Sequence, residues 1–229
     1  MLQCRRMQKE GHNDSEREQT VSEEIFNAAS HGVGALLALA AFGVVVGFAA
    51  VRGDAYLIVS AALYGMMMFF MYMSSTLYHA AVHARFKFAL NIFDHNAIYL
   101  MIAGTYTPFC LGPLRAYSPG WGWSIFGVVW GLAIVGIVFQ SVFINRYRAL
   151  STATYVLMGW VVIVAVYPMH KAMGLAALLW ILAGGVCYTL GVVFYAWKSM
   201  KYAHAIWHLF ILAGSMFHYF TILFYVMLP

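Results

Sequence analysis

The stretch that decides the fold is HAIWHLFILAGSMFHYFTILFYVML, residues 204–228. It contains no Asp, Glu, Lys or Arg, and its apolar residues do not alternate with polar ones. A helix needs roughly 20 mostly apolar residues to cross the hydrocarbon of a bilayer, so this stretch predicts a transmembrane helix. It also contains His204, His208 and His218. Because titratable side chains are costly in hydrocarbon, histidines in a membrane span indicate a function.

The rest of the chain has the same character. Of 229 residues, 63% are hydrophobic and only 9% are charged, whereas a soluble domain carries about 25% charged residues. Seven stretches are long and apolar enough to span a bilayer: 31–51, 56–79, 91–111, 121–143, 150–169, 173–197 and 204–228. The sequence therefore predicts an all-α membrane protein, a seven-transmembrane-helix bundle formed by residues 25–229.

Residues 1–24 form a polar tail of different composition. They hold six acids and four bases, whereas the remaining residues hold only two acids, Asp54 and Asp94. The tail has almost no apolar residue to bury, which predicts a disordered or surface-lying cytoplasmic segment. It lacks the apolar core of a cleaved signal peptide. The bases are scattered along the chain, which gives no case for nucleic-acid binding.

The orientation follows from the distribution of Lys and Arg, which concentrate on the cytoplasmic side of membrane proteins. With the N-terminus inside, ten of these residues lie in inside segments and three in outside segments. The sequence thus predicts a cytoplasmic N-terminus and an outside C-terminus. G-protein-coupled receptors have the opposite orientation, so the chain is not expected to be one of them. The last span has no lysine that could hold retinal, which excludes a rhodopsin-like protein.

Polar residues of four predicted spans converge at one end of the bundle. In this orientation the first, third and seventh spans begin, and the second ends, at the cytoplasmic face. The polar residues at this level are Glu24, Asn27, His31, Ser75, His79, Asp94, His95, Asn96, His204 and His208. The outer half is nearly bare of ionisable residues, so we expect the functional site at the cytoplasmic end.

The histidine spacing is that of metal ligands. His204 and His208 are four residues apart and share one helix face. Together with His79 they would provide three imidazoles, the number of protein ligands in a catalytic zinc site. Asp94 would bind the metal directly or hold its water as a general base. His218 lies about 21 Å further along the helix than His204, too far to share the metal.

A structural interpretation of the same residues stays open. Histidines at helix ends also lie at the membrane interface or link helices through hydrogen bonds, and the HxxxH spacing recurs by chance. Asp94 favours the metal, because it is the only acid within the spans and no Lys or Arg is buried with it.

Four ordered motifs resemble those of the bacterial haemolysin III proteins, which belong with the progestin and adipoQ receptor (adiponectin receptor) family. The motifs are EIFNAASHGVG from residue 24, SSTLYH from 74, DHNAIYLMIAGTYTP from 94 and HAIWHLFILAGSMFH from 204. The resemblance implies a seven-helix fold in the bacterial plasma membrane, with zinc bound by His79, His204 and His208. It further implies that Asp94 reaches the metal through water, and that Ser75 contacts the ligands or the substrate.

The resemblance leaves three functions open. Eukaryotic relatives are similar to ceramide-hydrolysing receptors, which implies a zinc-dependent lipid amide hydrolase acting in lipid homeostasis, with Asp94 and Ser75 as its catalytic residues. The second function is a non-enzymatic sensor in which zinc clamps the helices. The third, implied by the family name, is a cytolytic pore. A pore needs a water-lined polar path through the bilayer. The outer half of the bundle has few polar residues to line such a path, so a pore would form only by oligomerisation. Membrane lipids are the expected partners in each case.

Overall fold

The computed structural model describes residues 17, 19–143 and 146–228, and this part of the chain is helical and contains no strand. Most of the predicted polar tail lies outside the described residues. The helices are α1 (Val21–Arg52), α2 (Ala55–Ala80), α3 (Ala84–Phe109), α4 (Pro119–Val142), α5 (Arg148–Gly159), α6 (Val166–Ala196) and α7 (Ala203–Ile222). The π-helical turns Cys110–Leu114 and Leu223–Met227 extend α3 and α7, and the 3₁₀ segment Trp160–Ala165 joins α5 to α6. The predicted all-α membrane architecture is confirmed.

Six helical stretches are long and apolar enough to cross a membrane. Five of them correspond to one predicted span each. The remaining stretch, Arg148–Ala196, is 49 residues long and contains both predicted spans 150–169 and 173–197. Its backbone leaves the helical conformation at Gly174, where φ is 79° and ψ is 172°. Residues other than glycine rarely adopt this conformation, so Gly174 divides the stretch into two helical halves.

Local sequence signals set the first helix boundaries. Thr20 caps α1, because its hydroxyl accepts from the Glu23 amide and the Glu23 carboxylate accepts from the Thr20 amide. These two bonds form a capping box, which satisfies free amides at a helix start. Gly53, with φ 69°, ends α1, and Asp54 starts α2 by accepting from the amides of the second and third following residues. α1 thus begins at Val21, so Glu24 is a helical residue.

Helices α1 and α7 run parallel. Near their starts, the His208 Nδ1 lies 3.2 Å from the Asn27 carbonyl oxygen. Near their ends, the Arg52 Nη1 donates to the Val226 carbonyl oxygen at 2.9 Å. The guanidinium thereby satisfies a carbonyl in the last turn that has no partner within a regular helix. Both ends of α1 are therefore fixed to the corresponding ends of α7.

The surface and the interior have the composition expected in a bilayer. Large apolar side chains point outward, with Leu36 71% and Val51 87% exposed, whereas Asn27, Thr107 and His208 are fully buried. Lipid solvates apolar surface, so polar groups gain by facing the interior of the bundle, where they find partners. The buried polar residues at the end of the bundle where α1 and α7 begin form the candidate site.

Candidate metal centre

Three histidines from two helices meet in the bundle. His79 lies in the last turn of α2, and His204 and His208 lie in the first two turns of α7. Each offers a ring nitrogen within 4.8 Å of the other two. The Nε2 atoms of His79 and His204 are 3.2 Å apart. These residues can hold a metal ion, as their spacing in the sequence suggested.

Hydrogen bonds on the far side of the rings fix the His79 and His208 tautomers. The His79 Nδ1 donates to Glu24 Oε2 at 2.6 Å. The His208 Nδ1 donates to the Asn27 carbonyl oxygen at 3.2 Å and lies 3.1 Å from the Ser30 hydroxyl. Because carboxylates and carbonyls only accept, each Nδ1 carries the proton and each Nε2 keeps its lone pair. Metal-ligating histidines generally have such a partner on the other nitrogen.

The arrangement fits a metal ion. Two nitrogens bound to one tetrahedral zinc at 2.0–2.1 Å would lie about 3.3–3.4 Å apart, close to the observed 3.2 Å between His79 and His204. The His208 Nε2 is buried and has no hydrogen-bond partner among the described residues. A buried lone pair without a partner is costly, and a metal ion would satisfy it.

Asp94 lies near the three histidines without joining their cluster. Among the residues that the structure describes, no other group of three or more His, Cys, Asp or Glu side chains brings its ligand atoms within 4.8 Å of one another. The Asp94 carboxylate is buried, and His79 and Ser75 are among the side chains that affect it electrostatically. Its Oδ2 is 4.0 Å from the His95 Nδ1. Asp94 is therefore not one of the clustered groups, and its contact with a metal through water stays a prediction.

The remaining candidate residues divide into two groups. Asn27 and His31 lie beside the cluster, and the His31 ring stacks on His208 with centroids 3.5 Å apart and planes 9° from parallel. His218 lies deeper in the bundle, where its Nε2 donates to the Ile181 carbonyl oxygen at 3.1 Å. Its ring contacts Tyr188. His218 therefore does not contribute to the centre.

Sequence reasoning missed two supporting groups. It placed Glu24 at the correct level but did not pair it with His79, and it did not single out Ser30. Glu24 also accepts from Lys87 Nζ at 2.7 Å, so the carboxylate links a lysine of α3 to a histidine of α2. The position of Ser30, one residue before His31, carries no signal by itself, because serine is common in membrane helices.

Comparison with known proteins gives several whole-length matches. The family model described as haemolysin-III related matches residues 19–219. The hemolysin-3 homolog of Bacillus subtilis (strain 168) is 45% identical over 206 residues, 90% of this chain and 95% of the relative. Hemolysin-3 of Bacillus cereus is 43% identical over 209 residues, 91% of this chain and 94% of the relative.

A more distant relative is mammalian. Monocyte to macrophage differentiation factor of Homo sapiens is 30% identical over 174 residues, 72% of this chain and 69% of the relative. No solved structure gives a significant match. The matched residues 19–219 include α1, the SxxxH histidine and both HxxxH histidines, so the candidate metal centre lies within the matched region. By this match, the chain belongs to the haemolysin-III related family.

Proposed function

We propose that this protein is a zinc-dependent hydrolase that cleaves amide bonds of membrane lipids at the cytoplasmic side of the bacterial plasma membrane. The observation that carries the proposal is the convergence of His79, His204 and His208, with two of the three tautomers fixed by partners on Nδ1. Three imidazoles with room for a fourth, non-protein ligand are typical of catalytic zinc sites. Asp94 supplies a carboxylate nearby.

The residues of this chain have distinct roles in the proposed reaction. Zinc, when bound, supplies a Lewis acid and lowers the pKa of a bound water to about 7. Asp94 accepts a proton from the attacking water and passes it to the leaving nitrogen. The proposed role of Ser75, which affects the Asp94 carboxylate electrostatically, is to orient that carboxylate. The carbon–nitrogen bond breaks and a carbon–oxygen bond forms, so the products are a fatty acid and an amine.

The proposed topology has seven crossings, with the N-terminus inside. As one helix, 49 residues would extend about 73 Å, more than twice the hydrocarbon thickness of about 30 Å. Each half on either side of Gly174 exceeds the roughly 20 residues that a crossing needs. The parallel arrangement of α1 and α7 supports the same count, because two parallel terminal spans require an odd number of crossings.

The experiment that tests the proposal separates metal binding from hydrolysis. We expect Asp94→Asn to retain zinc and to lose hydrolysis of lipid amides by about 10²–10⁴-fold, the usual contribution of a general base. The matched control is Asp54→Asn, the other acid beyond the tail, which lies at the opposite end of the bundle and caps α2. Asparagine is an equally good cap, so this variant should keep both properties. Normal turnover by Asp94→Asn would refute the proposed role.

A second candidate function is a non-enzymatic zinc clamp. The ligands come from α2 and α7, and the groups that hold their rings come from α1, so a metal ion would tie three helices together. This function predicts that zinc removal lowers the melting temperature while no lipid amide is hydrolysed by the wild type. The turnover assay on the zinc-loaded wild type distinguishes the two.

A further inference from the structure

Two buried polar side chains beside the histidine cluster lack partners. Asn27 is fully buried, and its Oδ1 has no hydrogen bond among the described residues, although its Nδ2 donates to Gln19. His31 is 1% exposed, and neither of its ring nitrogens has a hydrogen-bond partner there. The two residues are four apart in α1 and therefore lie on one helix face. That face contacts His208.

Buried polar groups without a partner lower the stability of the folded protein unless a ligand binds them. A buried polar atom left without a partner destabilises the fold, and native proteins contain few of them. Here four unpartnered atoms belong to three residues in contact with one another: Asn27 Oδ1, both ring nitrogens of His31, and His208 Nε2. The metal ion accounts for His208 Nε2. It does not account for Asn27 or His31, which are outside the ligand cluster.

We propose that Asn27 and His31 form a polar subsite that binds an uncharged, hydrogen-bond-donating group of the lipid ligand, next to the three-histidine centre. The inference rests on the proposed function, because the ligand is the lipid that the centre acts on. It adds the residues that recognise the ligand and the chemistry they select.

The free atoms determine which ligand group fits. Asn27 Oδ1 only accepts, so its partner must carry an N–H or O–H. An uncharged imidazole offers one donor and one acceptor, so it can either donate a hydrogen bond to a hydroxyl or an amide or accept one from it. A hydroxyl can donate to Asn27 and accept from His31 at the same time. A carboxylate or phosphate has only acceptor oxygens when ionised, and it would leave Asn27 Oδ1 unsatisfied. The subsite therefore selects hydroxyl- or amide-bearing lipids over fatty acids and phosphate headgroups.

A small cavity connects this subsite to the cytoplasmic end of the bundle. Its volume is about 30 Å³, and Asn27 and His204 are both in its wall, with Glu23, Tyr195 and Tyr202. That volume holds about one water molecule. Because one residue of the subsite and one histidine of the centre share this cavity, a ligand group that enters can reach both.

Aromatic substitution of His31 gives a test with two readouts. His31→Phe keeps a ring to stack on His208 but removes the two unpartnered nitrogens. Replacing an unsatisfied polar group by an apolar one of similar shape is neutral or stabilising. We therefore expect the ligand-free variant to melt at or above the wild-type temperature and to keep its zinc, while ligand recognition is lost. Asn27→Leu tests the other half of the subsite, because it removes Oδ1 and leaves the backbone carbonyl that holds His208.

The binding probe is a pair of short-chain lipid amides that differ only in one hydroxyl group next to the amide. Affinities are measured with radiolabelled lipids on zinc-loaded protein in nanodiscs. If the wild type hydrolyses a lipid, all variants are compared in the Asp94→Asn background, so that the lipid stays intact. We expect the wild type to prefer the hydroxylated lipid by about tenfold or more, the value of one good hydrogen bond. In His31→Phe and in Asn27→Leu the preference should fall to about twofold or less.

The matched control is His218→Phe, at a histidine of the same helix bundle. His218 loses a real hydrogen bond to Ile181 on substitution, so this variant should melt at a lower temperature and keep the hydroxyl preference. A wild type without hydroxyl preference, or a preference that survives in both subsite variants, would overturn the subsite. Zinc content and Asp94→Asn turnover test the hydrolase separately, so the two proposals can fail independently.

Discussion

Glu24 is the residue that joins the centre to the edge of the bundle. One carboxylate oxygen accepts from His79 Nδ1 at 2.6 Å and the other accepts from Lys87 Nζ at 2.7 Å. A carboxylate on the far nitrogen orients a ligating imidazole and makes it a stronger ligand. Glu24 therefore orients His79 without being one of the three candidate ligands.

Removing this carboxylate should weaken metal binding. We expect Glu24→Ala to raise the zinc dissociation constant about 10–100-fold, the usual effect of losing such a partner. Glu24→Gln should have a smaller effect, because the amide oxygen still accepts from His79. The measurement is competition with a zinc-chelating dye on detergent-purified protein.

Lys87→Met provides the control for this prediction. It breaks the other half of the Glu24 contacts and leaves the bond to His79 in place. The Lys87–Glu24 pair is partly open to solvent, with 30% and 24% of the two side chains exposed. Ion pairs that solvent reaches contribute little, about 0–1 kcal/mol, so the zinc affinity should change by less than about fivefold. An unchanged affinity in Glu24→Ala would show that the His79 ring is held by packing alone.

At this scale the sequence predicted the three clustered histidines and missed the groups that hold their rings. His79, His204 and His208 were found because a four-residue spacing and a common depth in the bilayer both follow from helix geometry. The bond from Glu24 to His79 depends on the rotation of α1 against α2 and on two rotamers, which no spacing along the chain reveals. The stacking of His31 on His208 depends on the same rotation.

Close helix packing is controlled by glycines that receive an aromatic ring. A Cβ added at Gly136 of α4 would lie 2.2 Å from the Tyr99 ring of α3. Tyr99 is fully buried and packs on Tyr155, with ring centroids 4.5 Å apart, so its ring has no free direction in which to move. Small residues at such contacts allow membrane helices to approach closely.

Filling this glycine position should destabilise the bundle. We expect Gly136→Ala to lower the free energy of unfolding by about 1–3 kcal/mol, the usual cost of overpacking. Gly131→Ala is the matched control on the same helix, because a Cβ there meets no atom within 4 Å. Thermal unfolding in detergent should show a lower melting temperature for the first variant and an unchanged or higher one for the second. Equal melting temperatures would mean that α3 and α4 are further apart than described.

The helical stretch Arg148–Ala196 contains a feature that hydropathy predicts and one that it does not. Hydropathy placed two spans there with a break at 170–172, whereas the backbone leaves the helical conformation two residues later, at Gly174, inside the second predicted span. Hydropathy did not predict the 3₁₀ segment Trp160–Ala165. The Tyr106 hydroxyl donates to the Gly159 carbonyl at 2.6 Å and accepts from the Val162 amide. This side chain from another helix satisfies the backbone groups that the change of helix type frees, and such a contact is invisible in local sequence.

For the whole molecule, the number of membrane crossings determines on which side of the membrane each terminus lies. An odd number places the termini on opposite faces, and an even number places them on the same face. The parallel contacts of α1 and α7 at both ends favour an odd number. The excess of Lys and Arg in the inside segments favours a cytoplasmic N-terminus.

Single cysteines can test this topology in a background without Cys4, Cys110 and Cys187. We expect Lys171→Cys to react with a membrane-impermeant thiol reagent from outside the cell. Lys201→Cys should react only after the membrane is opened, because it lies on the cytoplasmic side. Both positions are exposed on the protein surface. Labelling of Lys201→Cys in sealed cells would contradict the seven-crossing arrangement.

The central claim is that the three histidines hold one zinc ion per molecule, and the most direct measurement is elemental analysis of detergent-purified protein. The wild type should contain about one zinc per chain, and the His204→Ala/His208→Ala variant should contain none, because a single remaining imidazole cannot hold the ion. A well-folded wild type without any metal would contradict the account, and the histidines would then be groups that link helices by hydrogen bonds.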